Sequence, residues 1–88
     1  MLDPAGQPMT AAEVVTAALH ATRLSPVFVH RSDDSSMARM TGRLRREATR
    51  RGVRLHVRIL DDERAAAFAT VEPGPEQVRR AMDQPGGI

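Results

Sequence analysis

Apolar residues recur at helical spacing in two long stretches of this chain and alternate with polar ones in the segments between them. The longer helical stretch lies within Ser35 to Arg58, which reads as a helix, a glycine stop and a strand. A helix advances about 100° per residue. Met37, Met40, Thr41, Leu44 and Ala48 therefore fall on one side, and Arg39, Arg43, Arg46 and Arg50 form a narrow stripe on the other. Gly42 interrupts a helix that otherwise runs to Arg51, at about 1 kcal/mol against alanine, or marks close packing. Gly52 is a left-handed stop.

The first helical stretch opens at Thr10. Thr10-Ala11-Ala12-Glu13 has the spacing of a capping box, in which hydroxyl and carboxylate satisfy free N–H groups reciprocally. Val14, Ala17 or Ala18, and Leu19 carry the apolar stripe as far as about Arg23, and Ser25-Pro26 ends it. Pro26 to Arg31 reads as a short strand, with Val27 and Val29 on one side and Phe28 and His30 on the other. Ser32 to Ser36 supplies short oxygen side chains for an N-cap, and Asp33 and Asp34 favour the helix dipole.

Val53 to Leu60 alternates cleanly: Val53, Leu55, Val57 and Ile59 against Arg54, His56 and Arg58. Asp61 to Arg64 is a polar turn. Ala65 to Glu72 is ambiguous, its alanines favouring helix while Phe68, Thr70 and Val71 beside a turn favour a return strand; strand is the reading adopted. Pro73-Gly74-Pro75 breaks the chain, and Pro75 suits the first position of a last short helix with Val78 and Met82 on one side.

These elements predict an α+β fold of order α-β-α-β-β-α with a small three-stranded mixed sheet. A strand-helix-strand unit in one sheet implies parallel strands, and the third strand adds antiparallel through its short turn. Helices pack mainly on the Val/Leu/Ile face. The other face is expected to be open, carrying Arg54, His56 and Arg58 and, if registers agree, Phe28, His30 and Phe68. One domain spans 10–83, between a disordered lead (1–9) and a frayed tail (84–88).

Composition sharpens this picture in three ways. Much of the 41% hydrophobic content is alanine, and Phe28 and Phe68 are the aromatics, so the core is thin and a homo-oligomer is a reasonable default. Cysteine is absent, which removes disulfide and thiolate chemistry. No apolar run approaches the length of a transmembrane helix and no signal peptide is visible, so a soluble cytoplasmic protein away from membranes is expected.

Charge is segregated. Between Arg31 and Arg58 nine arginines stand against Asp33, Asp34 and Glu47, a net of +6, while the remainder carries a net of −4. That pattern points to a basic face. Every basic residue is arginine, whose planar fork of donors suits phosphate, although a GC-rich genome is the simpler cause of the bias. The stripe is a small liability by itself, because like charges at i,i+3 and i,i+4 destabilise a helix by about 0.2–0.5 kcal/mol per pair. A charge run is commonly a solvated face. Here the expected site is a polyanion surface of Arg39, Arg43, Arg46 and Arg50, widened by Arg54, His56 and Arg58.

Catalytic readings fare poorly. His30, Asp33 and Asp34 match no zinc spacing, Asp61 to Glu63 is a turn, and no glycine run follows a strand and opens a helix. The expectation is a non-enzymatic protein without cofactor or metal that binds DNA or RNA through its arginine-rich helix. The alternative is a protein-interaction module or homo-oligomeric adaptor whose basic face docks an acidic partner. In element order alone, Thr10 to Val71 resembles the Alba proteins and the C-terminal domain of bacterial translation initiation factor three, less their first strand. Both bind nucleic acid, and the resemblance implies the same class of partner; it carries no residue across.

Overall fold

Three strands and three helices follow in the order α1 (Ala11–His20), β1 (Val27–His30), α2 (Met37–Arg50), β2 (Leu55–Ile59), β3 (Arg64–Ala69) and α3 (Pro75–Asp83). The computed structural model describes residues 1–21, 26–69 and 74–83, apart from the side chains of Gln77 and Ala81. The expected helix end near Arg23, the stretch 70–73 of the expected third strand and its break, and the tail from Gln84 lie outside the described residues.

The sheet has the order β1-β3-β2 and is antiparallel throughout. This corrects the mixed sheet expected from the sequence. β1 and β2 do run the same way, but β3 lies between them instead of at an edge. The physical reason lies in β3 itself. Ala65, Ala66, Ala67 and Phe68 are all buried, so the strand has no polar face and belongs in the centre. β2 alternates apolar and polar residues and suits an edge, while β1 is short and takes Leu2 on its outer side.

α1 packs on β3 and β1, α2 packs on β2, and the two helices pack against each other. Val14, Met40 and Leu44 from the helices meet Val29, Val57, Ala65 and Ala67 from the sheet in one cluster. Alanine in the central strand brings the helices close, and the molecule measures 31 × 30 × 19 Å. Phe28, Leu60, Ala66 and Phe68 form a second buried cluster on the face turned away from those helices.

The ends of α2 are set by short-range chemistry. Ser36 is the N-cap, its hydroxyl accepting from the Arg39 N–H at 3.1 Å. The aspartates expected to cap lie outside the first turn; Asp34 is instead bonded to Ser32, which holds its carboxyl below the usual range. At the other end Gly52 takes φ +69°. The Gly52 N–H then donates to Thr49 O at 3.1 Å and the Val53 N–H to Ala48 O at 2.8 Å, the paired bonds of a Schellman stop. α1 carries the capping box as expected, Thr10 and Glu13 bonding each other's backbone N–H at 3.1 Å.

Residues 1–9, expected to be a disordered lead, close on themselves and on the sheet. Leu2 exchanges backbone hydrogen bonds of 2.9 and 2.8 Å with His30, on the outer edge of β1. Asp3 Oδ1 accepts from the Ala5 and Gln7 N–H groups, and Gly6 turns the chain at φ +84°.

Asp61 organises the β2–β3 turn. Its carboxylate accepts from the Glu63 N–H at 2.9 Å, the Arg64 N–H at 2.8 Å and Arg64 Nε at 2.7 Å. The Glu63 backbone bond, then the Arg64 side chain, hold its carboxyl below the ordinary range. A depressed folded pKa adds stability above the unfolded pKa, lost as pH falls through the folded value. Asp61 is nearly half exposed, so solvent screening keeps the effect small: Asp61→Asn should lower stability at neutral pH by less than about 1 kcal/mol. Denaturant melts across pH should show the difference closing once acid protonates Asp61.

Candidate nucleic-acid interface

α2 buries Met40, Thr41, Leu44 and Ala48 and exposes Arg39, Arg43, Arg46 and Arg50. Thr41 tolerates burial because its hydroxyl donates to Met37 O at 3.0 Å and approaches Ala38 O at 3.2 Å. Since the buried stripe rests on the sheet, the arginine stripe points out of the helical layer, along about 16 Å of helix axis. Arg46 lies back along the helix, its Nη1 3.7 Å from where a Cβ on Gly42 would stand.

Most of this stripe makes no ion pair among the described residues, although Arg43 lies near enough to Asp34 to help hold its carboxyl down. Arg50 pairs with Glu47, whose carboxyl it holds down, and its side chain nonetheless remains 69% exposed. Among the described residues no hydrogen bond or ion pair engages the guanidinium of Arg39, Arg43 or Arg46. Arg45, which its helical angle places off the stripe, is exposed and equally unengaged. Helical angle does not single Arg45 out; the excess of arginine in the segment is its only sequence signal.

Other arginines serve the fold. Arg51 Nη1 donates to Ala12 O at 3.1 Å and to Thr16 Oγ1 at 2.9 Å, tying the end of α2 to α1. Arg31 donates to Asp62 O at 3.1 Å and Ser35 O at 3.1 Å. These bonds draw loops and helices together through main-chain carbonyls and a threonine hydroxyl.

The strand residues of the expected site are placed differently. Val57 points into the helix-side core, so by strand alternation His56 and Arg58 lie on the opposite face of the sheet from α2. The expected continuous surface therefore splits: Arg39, Arg43, Arg46 and Arg50 are brought together, and His56 and Arg58 are not among them. Nor is that sheet face open. Phe28 and Phe68 are 7% and 3% exposed, and His56 and Arg58 are half-buried. His56 pairs across from Phe68 and Arg58 from Ala66, so the expected register of cations and aromatics does form, but as a covered cluster. Arg58 Nη1 donates to Val57 O at 3.3 Å. Arg54 is exposed in the connection between α2 and β2.

Among the described residues no group of His, Asp or Glu is arranged to hold a metal ion, and no helix is long and apolar enough to cross a membrane. Comparison with known protein families, curated proteins and solved structures gave no match.

The division between structural and free arginines is measurable. Arg51→Ala should lower stability by about 1 kcal/mol through its lost bonds. Arg39→Ala, Arg43→Ala and Arg46→Ala should each stay within about 0.5 kcal/mol of the parent. Denaturant unfolding of the four variants checks both.

Proposed function

We propose that this is a small non-enzymatic nucleic-acid-binding protein, architectural or regulatory in role, that neutralises phosphates with the outer face of α2. One observation carries the reading: Arg39, Arg43 and Arg46 stand exposed on one rigid helix, without an ion pair among the described residues. Arg50 continues the row, and Arg54 follows the helix end. Like charges so placed weaken a helix slightly, and a row of phosphates would convert that repulsion into attraction.

The chemistry supports backbone contact and not base reading. A solvated cationic ridge positions a protein on phosphates without telling one base from another. The sheet face, where aromatics could have stacked on bases, holds Phe28 and Phe68 buried. Affinity should then be nearly independent of sequence and steeply dependent on salt.

Titrations against duplex DNA and single-stranded RNA fragments test the reading. Four phosphate contacts give a slope of log K against log salt of about −3 to −4 per bound copy on duplex DNA. Binding at moderate salt should be submicromolar, and Arg43→Glu with Arg46→Glu should weaken it by at least about tenfold. Binding that ignores both salt and the double reversal would refute the proposal. Absence of binding, together with capture of an acidic protein through the same arginines, would favour an interaction module.

A further inference from the structure

β2 is an edge strand whose outer side meets no other strand among the described residues. The Leu60 N–H bonds Arg64 O at 2.9 Å, which makes Leu60, Arg58 and His56 the residues whose backbone turns toward β3. The backbone groups of Leu55, Val57 and Ile59 therefore point outward; among the described residues their N–H groups meet no acceptor, and the Val57 carbonyl accepts only a 3.3 Å bond from the neighbouring Arg58 side chain, which pairing would displace. The other edge of the sheet differs, because Leu2 already occupies His30 on β1. Ile59 adds an apolar side chain 56% exposed at the same edge.

We propose that this edge pairs with a second copy of the chain, β2 against β2 in antiparallel sense about a two-fold axis through Val57. The register follows from the residues. Centred on Val57, Leu55 of one copy faces Ile59 of the other on the helix side, and His56 faces Arg58 on the far side. Outward backbone groups meet outward groups, as a ladder requires. Slipping the centre toward Arg58 opposes that arginine to its own copy, and slipping it toward His56 opposes Arg54 to Arg58. The Val57-centred register avoids both repulsions.

Charge at the two ends of the strand is complementary to itself. Arg54 precedes β2, while Asp61, Asp62 and Glu63 follow it. Antiparallel pairing brings Arg54 of each copy beside the acidic turn of the other. Asp61 is engaged by Arg64, but the carboxylates of Asp62 and Glu63 carry no hydrogen bond or ion pair among the described residues.

α2 leaves room for the second copy. Arg51 marks the flank of α2 that meets α1. About 100° per residue puts Ala38, Gly42, Arg45 and Thr49 on the opposite flank. Three of these four are small, so the α2 helices of two copies can lie side by side over the joined sheet. Both arginine stripes then face out of one layer. The pairing does not depend on the nucleic-acid reading and is measured without nucleic acid.

Sedimentation equilibrium of the full chain over a range of concentrations should show a dimer. Ile59→Lys, which charges the exposed edge position, should raise the dissociation constant by about tenfold or more while leaving the thermal melt of the monomer intact. Arg54→Glu should weaken the dimer similarly, and adding Asp62→Arg to Arg54→Glu should restore most of the loss. Amide exchange at Leu55, Val57 and Ile59 should slow as the dimer forms. A monomer at all concentrations, a dimer indifferent to both single changes, or unprotected amides at those three positions in a dimer would overturn the proposal.

Discussion

The burial of Met40, Leu44 and Ala48 beneath α2 sets the rest of the molecule. That apolar row must lie against the sheet, and the arginine row on the same helix is thereby turned outward. Met40 and Leu44 share one buried cluster with Val57 of β2 and with Ala65 and Ala67 of the central strand. Loss of a buried leucine such as Leu44 in so thin a core would remove a large part of the total stability, since Leu→Ala changes cost about 2–5 kcal/mol and small domains have little to spare. The direction of the arginines and the survival of the fold thus rest on the same few contacts.

Arginine plays two unlike parts here. Arg31 and Arg51 are spent on main-chain carbonyls and a threonine hydroxyl, closing gaps between elements that the small core does not span. Arg58 likewise caps a carbonyl at the sheet edge. A planar fork with several donors serves this purpose better than an ammonium. The arginines of the outer face of α2 do nothing of this kind, and their contrast with the first group is what marks them as available for a partner.

Much of the architecture was legible in the sequence. Alternation located β2, helical spacing located α2 and its two faces, Thr10 with Glu13 fixed the start of α1, and Gly52 fixed the end of α2. Strand order is not given by the strand-helix-strand unit, because β1 and β2 run parallel without being neighbours. The signal for it lies in β3: Ala65-Ala66-Ala67-Phe68 has no alternation, and an unbroken apolar run marks a strand buried on both sides. The fate of His56 and Arg58 was harder to foresee. Alternation correctly assigned them to the face away from Val57, but a strand pattern cannot say whether that face is solvated. Nor could it show that a helix resting on one face turns its charges away from the other. The attachment of Leu2 to His30 has no sequence signature, because it depends on main-chain groups meeting across the edge of β1.

On the function proposed here, a polyanion is met on the outward side of α2. The most direct test is a map of NMR shifts, backbone amides and arginine Nε–H groups together, as a short nucleic-acid fragment is added at low salt. Shifts should concentrate on residues 39–50 and be largest at the side chains of Arg39, Arg43 and Arg46, with Phe28, Ala66 and Phe68 unmoved. Shifts gathered on the sheet face around His56 and Arg58, or none anywhere at a concentration that saturates a basic ridge, would contradict it.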